Sequence, residues 1–379
     1  WTLTADGTMT ISGEGEMKNY SIGDSPAAQK KDSVKKVVIE DGITNIVDFA
    51  FYNCSSLTDI TIPDSVTSIG DDAFYGTPWL TNKRQENDSL VIVNGILIDG
   101  TACSGEVTIP NDVTSIGDYA FRNCTGLTSI TIPKSVTSIG GNVFDGCTAL
   151  TEVLLEGGSA LTSESFGEVA DKVVTRWNED NLTWTLTADG TMTISGTGAM
   201  KNYSNNSPAA QKKDSVKKVV IEDGITNIVD FAFYNCSSLT DITIPDSVTS
   251  IVNYAFYNCT GLTNIKIPNS VTNIEGFAFY YCTGLTSVNI PESVTCIGDH
   301  AFFICTSLTS VNISEGVTGI GAWAFQNCTG LTSIKIPESI TSIETGAFSG
   351  CTSLANITIP SSVTSIKESA FSGTAWLKS

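Results

Sequence analysis

Residues 282–305, CTGLTSVNIPESVTCIGDHAFFIC, begin and end with cysteine, and the same interval of 23 residues recurs on both sides. The cysteines in this register are Cys236, Cys259, Cys282, Cys305, Cys328 and Cys351. A fixed period of this length is the signature of a repeat architecture, in which each repeat forms one turn of a stack. The stretch therefore predicts a solenoid.

The apolar residues within one repeat predict its local structure. Val288 and Ile290 are two residues apart, so both side chains face inward from an extended strand. Pro291 ends this strand because it has no N–H group for a continuing ladder. The segment around Ala301 and Phe302 is too short for a full helix, so we expect one helical or 3-10 turn. A single turn of this size buries too little to fold alone, and neighbouring turns must stabilise it.

The chain contains the same plan twice. Residues 25–69 are identical to residues 207–251. Each array is preceded by a segment with alternating apolar residues about an Asp-Gly pair, which predicts a β-hairpin cap followed by a short helix. We assign a cap to 1–33, an array to 34–160, a linker to 161–183, a second cap to 184–215 and a second array to 216–379.

One turn of the first array departs from the pattern. It starts at Leu80, is 24 residues long and contains LVIVNGILI, residues 90–98. The Asn94-Gly95 pair in this segment predicts a hairpin.

Composition restricts the classes of partner. The chain has 40 acidic and 20 basic residues, a formal charge of -20. This charge repels phosphate backbones and anionic lipids, so we expect no nucleic-acid partner. No run approaches the roughly 20 apolar residues of a membrane helix, and we expect no membrane insertion.

The repeats resemble the BspA-like leucine-rich repeats of bacterial surface proteins. Ile290-Pro291, Val294, Ile297-Gly298, Ala301-Phe302 and Cys305 carry this match. The resemblance implies a curved right-handed solenoid with a parallel sheet along one side. It also implies a location at the bacterial cell surface and binding to ligands on host or neighbouring cells, and it supplies no catalytic residues.

Metal binding, disulfide formation and packing were weighed for the cysteines. Zinc sites combine close cysteine pairs with histidines, and this chain has one histidine. Disulfides are geometrically possible, since equivalent atoms on adjacent turns lie about 4.8 Å apart. Thr77 and Thr374 occupy the same position, however, which favours packing of a small side chain.

Two further groups of residues raise the question of chemistry. His300 follows Cys296 by four residues, but the extended backbone between them argues against a nucleophile and its base. Residues 178–181, Asn-Glu-Asp-Asn, present oxygen ligands for calcium, although a polar linker is the favoured interpretation. We therefore expect no catalytic site, metal or cofactor, and no enzymatic activity.

Aromatic residues flank the Ala-Phe pairs of the second array in two columns. The first column is Phe231, Tyr254, Phe277, His300 and Trp323; the second column is Tyr234, Tyr257, Tyr280 and Phe303. Stacking that shields the edge of the solenoid explains these rings, and a partner-binding surface is the sharper hypothesis. In the first array the corresponding columns are interrupted by Asp72 and Arg122.

These observations predict a monomeric surface adhesion or recognition protein for a protein or glycan ligand. A purely structural stalk that displays other domains is the alternative. The extracellular location follows from the resemblance alone.

Overall fold

We analysed a computed structural model, which describes residues 1–86 and 89–378. The chain divides into two units, Trp1–Thr175 and Arg176–Ser379. Both contain stacked turns with parallel strands and little helix, so the predicted β-solenoid is confirmed. The boundary between the units falls inside residues 161–183, which contain the 3-10 helix Ser163–Lys172 and the strand Val173–Asn178.

The first unit begins with the predicted hairpin cap, Thr2–Leu3 and Thr8–Ile11, followed by the 3-10 helix Ala28–Lys30. Most turns then contribute one strand to a front row and one to a back row, whereas the turn that starts at Leu80 contributes to the back row alone. The front-row strands are Lys36–Ile39, Asp59–Thr61, Gly105–Thr108, Leu127–Ile132 and Glu152–Glu156. The back-row strands are Asn45–Ile46, Ser68–Ile69, Ile96–Asp99, Ser115–Ile116 and Ser138–Ile139.

The second unit repeats this arrangement with the cap hairpin Leu182–Thr187 and Thr191–Gly196, the strand Gly198–Ala199 and the helix Pro208–Gln211. The front-row strands are Lys218–Ile221, Asp241–Thr243, Asn264–Lys266, Ser287–Ile290, Ser310–Ile313, Ser333–Lys335 and Asn356–Thr358. The back-row strands are Ile225–Ile228, Ser250–Ile251, Asn273–Ile274, Cys296–Ile297, Gly319–Ile320, Ser342–Ile343 and Ser365–Ile366. The 3-10 helix Trp376–Lys378 follows.

Each cap covers the first turn of its array by extending the front row. In the second unit the two hairpin strands are antiparallel, and Met192 then pairs in parallel with Val219. Met9 and Val37 make the same pair in the first unit. The cap thereby pairs the backbone N–H and C=O groups of the first front-row strand and covers its apolar side chains, which would otherwise face water.

The repeat sequence accounts for the shape of each turn. The front strand Ser287–Ile290 stops before Pro291, whose carbonyl accepts a 3.1 Å hydrogen bond from the N–H of Val294 and closes a tight turn. The Ser293 hydroxyl then donates to the carbonyl of Val271 on the preceding turn, at 2.7 Å. Serine thus fixes successive turns to each other through its hydroxyl group.

A row of stacked phenylalanines runs through the core of the second unit. Phe256, Phe279 and Phe302 are fully buried, and consecutive ring centroids are 5.1 and 5.0 Å apart. Parallel stacking at this spacing follows from the spacing of the turns themselves. Burial of these rings makes each turn depend on its neighbours.

The departure at Leu80 is a local replacement of the repeat. Residues Pro78–Glu86 form an α-helix, and Val91–Val93 pairs antiparallel with Ile96–Asp99. Asn94 and Gly95 have positive φ at the hairpin bend, as the Asn-Gly pair predicts. Within the described ranges, no helix has the length and apolar character needed to cross a bilayer.

Candidate partner-binding surface

The two aromatic columns lie on the segment of each turn that contains the Ala-Phe pair. This segment consists of successive hydrogen-bonded turns instead of the expected helical or 3-10 turn. Isolated bonds join Ala232 N–H to Val229 O at 3.2 Å and Tyr234 N–H to Phe231 O at 3.3 Å. The backbone is interrupted at Phe231 and Asn235, where φ is 59° and 60°. A helix does not propagate through left-handed residues.

Every member of the first column has this left-handed conformation. The φ angles of Phe277, His300 and Trp323 are 59°, 56° and 55°, and those of Phe231 and Tyr254 are both 59°. This conformation costs an L-residue about 1–2 kcal/mol. Regular bonds between turns offset this cost, since Phe277 N–H donates to Asp299 O at 2.9 Å and His300 N–H to Ala322 O at 3.0 Å. The turn geometry therefore projects one ring per turn at a constant spacing.

The rings of the first column form a continuous stack. The centroid distances are 4.9 Å for Phe231–Tyr254, 4.8 Å for Tyr254–Phe277, 4.6 Å for Phe277–His300 and 5.0 Å for His300–Trp323. Interplanar angles between 3° and 27° show parallel stacking throughout.

The second column forms a parallel stack beside the first. The Tyr234–Tyr257, Tyr257–Tyr280 and Tyr280–Phe303 distances are 5.0, 5.0 and 4.6 Å. The two columns also touch across each turn, as in the tilted pair Phe277–Tyr280 at 5.6 Å. The structure thus brings all nine predicted residues together into one surface.

The surface remains partly open to solvent. The rings of both columns are half-buried, except that Trp323 is 36% exposed. Tyr281, which was not among the predicted residues, is 38% exposed. Its ring centroid lies 4.9 Å from that of Tyr280 and 6.3 Å from that of Phe303. Its position directly after Tyr280 is the signal that would have identified it.

The rings of His300, Tyr257 and Tyr280 favour their uncharged forms. Burial lowers the pKa of His300 below its ordinary value, and the carboxylate of Asp299 only partly opposes this effect. Its Nδ1 is buried without a hydrogen-bond partner among the described residues. Burial also raises the pKa values of Tyr257 and Tyr280. The columns therefore form an uncharged aromatic surface on an acidic protein.

The repeated cysteines lie in the core as free thiols. Cys282 Sγ donates to the carbonyl oxygen of Phe256 at 3.1 Å, and Cys305 Sγ donates to that of Phe279 at 3.3 Å. This hydrogen bond recurs along the array and was not predicted from the sequence. Burial raises the pKa of Cys282 to about 12. Thiols that stay protonated in this way are poor nucleophiles and poor metal ligands.

The structure separates Cys296 from His300. Cys296 is exposed on the strand Cys296–Ile297, whereas the His300 ring is stacked between Phe277 and Trp323. The Cys296 sulfur lies 3.7 Å from the Ile297 carbonyl oxygen. Although the residue as a whole is exposed, partial burial of the sulfur and then the charge of Asp299 raise the pKa of its thiol. A raised pKa keeps this thiol protonated at neutral pH, and the thiol is a weaker nucleophile than the thiolate.

Residues 178–181 form the bend between two strands, and Glu179 points into the second cap. Its carboxylate accepts from Tyr203 Oη at 2.6 Å and from Trp184 Nε1 at 3.2 Å, and it pairs with Lys201 Nζ at 2.8 Å. Both carboxylate oxygens of Glu179, which a calcium ion at residues 178–181 would need as ligands, are therefore engaged by these donors. In residues 1–86 and 89–378 no group of three or more His, Cys, Asp and Glu side chains is placed to hold a metal.

The first array has only a short aromatic run. Tyr52 and Tyr75 stack at 5.3 Å, and Phe49 packs edge-on to Tyr52 at 5.7 Å. Farther along, the Arg122 guanidinium lies 5.0 Å from the centroid of Tyr119. The long aromatic surface is therefore a property of the second unit.

Comparison with known families identifies the repeat. The family model described as "BspA type Leucine rich repeat region (6 copies)" matches residues 22–151, 99–169, 207–328 and 272–379. No curated protein matches the chain.

Several solved structures are similar. A leucine-rich repeat protein from Eubacterium ventriosum is 25% identical over 98% of this chain and 92% of its own, with a TM-score of 0.42. A leucine-rich repeat protein from T. pallidum is 29% identical over 52% of this chain and 89% of its own, with a TM-score of 0.43. A leucine-rich cell surface protein from Faecalibacterium prausnitzii is 26% identical over 94% and 91%, with a TM-score of 0.31.

Proposed function

The chain belongs to the BspA-type leucine-rich repeat family, and from this premise we propose that it is a non-catalytic recognition protein of the bacterial cell surface. Its ligand is a protein or glycan on host or neighbouring cells. Solenoids of this class present extended surfaces to partners. The further step, adhesion through the second unit, is our proposal.

The observation that carries the proposal is the partly exposed aromatic surface of the second unit. Soluble proteins seldom leave contiguous apolar strips open, and such strips mark interaction sites. Tyrosine and tryptophan are also the side chains that contribute most to binding energy at interfaces. The rings of Trp323 and Tyr281, each more than a third exposed, are the expected anchors.

The front row is a weaker candidate for the same role. Its outward side chains are small or polar and include Thr243, Lys266, Asn289 and Asn312, all exposed. Asn312 Nδ2 donates to Asn289 Oδ1 at 2.6 Å, so part of this polar capacity is satisfied within the row. We therefore assign the partner to the aromatic surface.

The test compares two sets of serine substitutions in the full chain. One variant replaces Tyr254, Tyr257, Phe277 and Tyr280, and the control replaces Thr243, Lys266, Asn289 and Asn312. Binding is measured on a glycan array and on immobilised extracellular-matrix proteins, and folding is followed by circular dichroism. We expect the aromatic variant to lose binding and the control to retain it.

A second variant covers the case in which loss of stacking unfolds the protein. Tyr281→Ser with Trp323→Ser removes the two most exposed rings of the surface at a smaller structural cost. Unchanged binding by a folded variant of either kind would refute the proposal. If only thermal stability fell, the rings would serve as structural shielding and the stalk alternative would be favoured.

A further inference from the structure

The replaced repeat of the first unit contains a shortened turn. In the back row Leu97 pairs with Ile116, and Gly100 N–H donates to Ala120 O at 2.6 Å. Phe51 N–H makes the same bond to Ala73 O at 2.8 Å in a regular turn, so Gly100 holds the position of the core phenylalanine. Gly100 comes three positions after Leu97, whereas Phe121 comes five positions after Ile116 in the next turn. This turn is therefore two residues shorter than a regular turn, and one of the missing positions is that of the first aromatic column.

The core compensates for this loss, but the outer wall does not. The ring of Phe121 occupies the space that a side chain at Gly100 would need, and Trp79, from the helix Pro78–Glu86, packs against Phe74 with a centroid distance of 4.6 Å. Outside the core, Thr101 follows Gly100 and stands where neighbouring turns carry Tyr75 and Arg122. A cavity of about 490 Å³ lies at this point.

The cavity has two flat walls. Tyr75 stacks on Tyr52 with one face and is 50% exposed, while the turn beyond it offers only Thr101. On the opposite side, Arg122 lies over the ring of Tyr119. Because adjacent turns are about 4.8 Å apart, these walls are separated by about 10 Å. This is room for one flat group between them.

The charged lining consists of three aspartates and two arginines. Asp99 is buried, and its carboxylate accepts two hydrogen bonds from the Arg84 guanidinium, from Nη2 at 2.6 Å and from Nε at 2.9 Å. Arg122 pairs with Asp145 at 3.5 Å. Asp72 and Asp118 also line the cavity. Asp118 Oδ1 accepts a hydrogen bond from the N–H of Gly141, whereas Asp72 forms no ion pair with a lysine or arginine among the described residues. The Asp72 carboxylate is thus left to face a ligand.

We propose that this cavity binds the guanidinium group of an arginine side chain from a partner protein. A guanidinium is flat, stacks on tyrosine faces and donates paired hydrogen bonds to carboxylates. Arg122 on Tyr119 shows the same stacking within this cavity wall. A lysine ammonium is a compact point charge and uses the flat slot less well. The site lies in the first unit and is independent of the aromatic columns.

The experiment titrates the full chain with N-acetyl-L-arginine amide by isothermal calorimetry. Comparison ligands are N-acetyl-L-lysine amide, N-acetyl-L-tyrosine amide and methyl α-glucopyranoside. We expect saturable binding of the arginine amide, at least tenfold weaker binding of the lysine amide and no binding of the neutral compounds. Affinity falls with added salt because charged groups carry it.

Two variants locate the binding. Thr101→Tyr restores a ring at the gap and should abolish binding, whereas Ser349→Tyr adds the same side chain at the equivalent position of a regular turn and should not. Asp72→Asn removes one carboxylate and should weaken binding at least tenfold. Asparagine suits this backbone because Asp72 has a φ of 50° and Asn tolerates left-handed geometry.

The proposal is overturned if the arginine amide does not bind the wild-type chain, or if the lysine or tyrosine amide or the glucoside binds equally well. Binding that persists in a folded Thr101→Tyr protein also overturns it. Should circular dichroism show that Thr101→Tyr fails to fold, Asp72→Asn decides: unchanged affinity in that variant rejects the site.

Discussion

Replacing Phe277 by alanine should destabilise the second unit more than replacing it by glycine, although glycine removes more of the side chain. Both variants lose the stacks on Tyr254 at 4.8 Å and on His300 at 4.6 Å, together about 1–3 kcal/mol beyond burial. Alanine retains the left-handed strain at φ 59°, about 1–2 kcal/mol. Glycine relieves it but adds roughly 0.5–1 kcal/mol of backbone entropy. The glycine variant should therefore be more stable by about 0.5–1 kcal/mol.

Tyr280 supplies the matched control, since it carries a stacked ring on the same turn but is not among the residues with positive φ. Here glycine should be less stable than alanine by roughly 0.5–1 kcal/mol. The order of stability of the alanine and glycine variants is thus expected to reverse between Phe277 and Tyr280. Because both variants at one position lose the same ring, the cost of losing it does not affect the difference between them. Gly346 already occupies the equivalent of Phe277 with a φ of 61°.

The assay is urea unfolding followed by circular dichroism, with the midpoints of the four variants compared at a common denaturant slope. If Phe277→Ala proved more stable than Phe277→Gly by as much as alanine exceeds glycine at Tyr280, left-handed strain would not contribute at this position. If glycine were favoured at both positions, the effect would belong to the whole segment and not to one residue of each turn.

Two further predictions concern the core thiols and the second cap. Burial raises the pKa values of Cys236 and Cys282 from 9.0 to about 12, so the unfolded chain loses these protons first and stability should fall as pH rises from about 9 towards 12. Urea midpoints measured between pH 7 and 11 should therefore depend less steeply on pH in a Cys236→Ala, Cys282→Ala variant than in the wild type. Equal dependence on pH in the two proteins would contradict this explanation. Glu179→Gln removes the ion pair with Lys201 and weakens the hydrogen bonds from Tyr203 and Trp184, so we expect the free energy of unfolding, measured with heat or urea, to fall by about 1–3 kcal/mol. The control Asp180→Asn changes an exposed side chain and should have little effect. An equal effect of both substitutions would refute a specific role of Glu179 in stabilising the second cap.

The sequence was sufficient to predict the repeat and its strands because these depend on local rules. Alternation at Val288 and Ile290 indicates a strand, and both side chains are buried. Pro291 indicates its end, and the Asn94-Gly95 pair indicates a hairpin. Each of these signals acts through backbone geometry that its own residues impose.

The left-handed turn was missed because Phe277 and Trp323 are side chains that rarely adopt positive φ, so aromatic residues conceal the requirement. A signal was present four residues later, where Asn235, Asn258 and Asn327 recur in register and all have positive φ. The cavity was missed for another reason. Whether a shortened turn leaves a gap depends on which side chains of other turns enter the space, and the Phe121 ring fills only the part inside the core.

Hydrogen bonds between turns run along the axis of each array, as in the bond from Phe279 N–H to Ala301 O at 2.8 Å. A pulling force applied along that axis acts on few of these bonds at a time, because the outermost turn peels before the next one is loaded. Each detached turn of 23 residues releases about 80 Å of extended chain. Such an array lengthens in equal steps under tension, and each step dissipates mechanical work while the remaining turns stay folded.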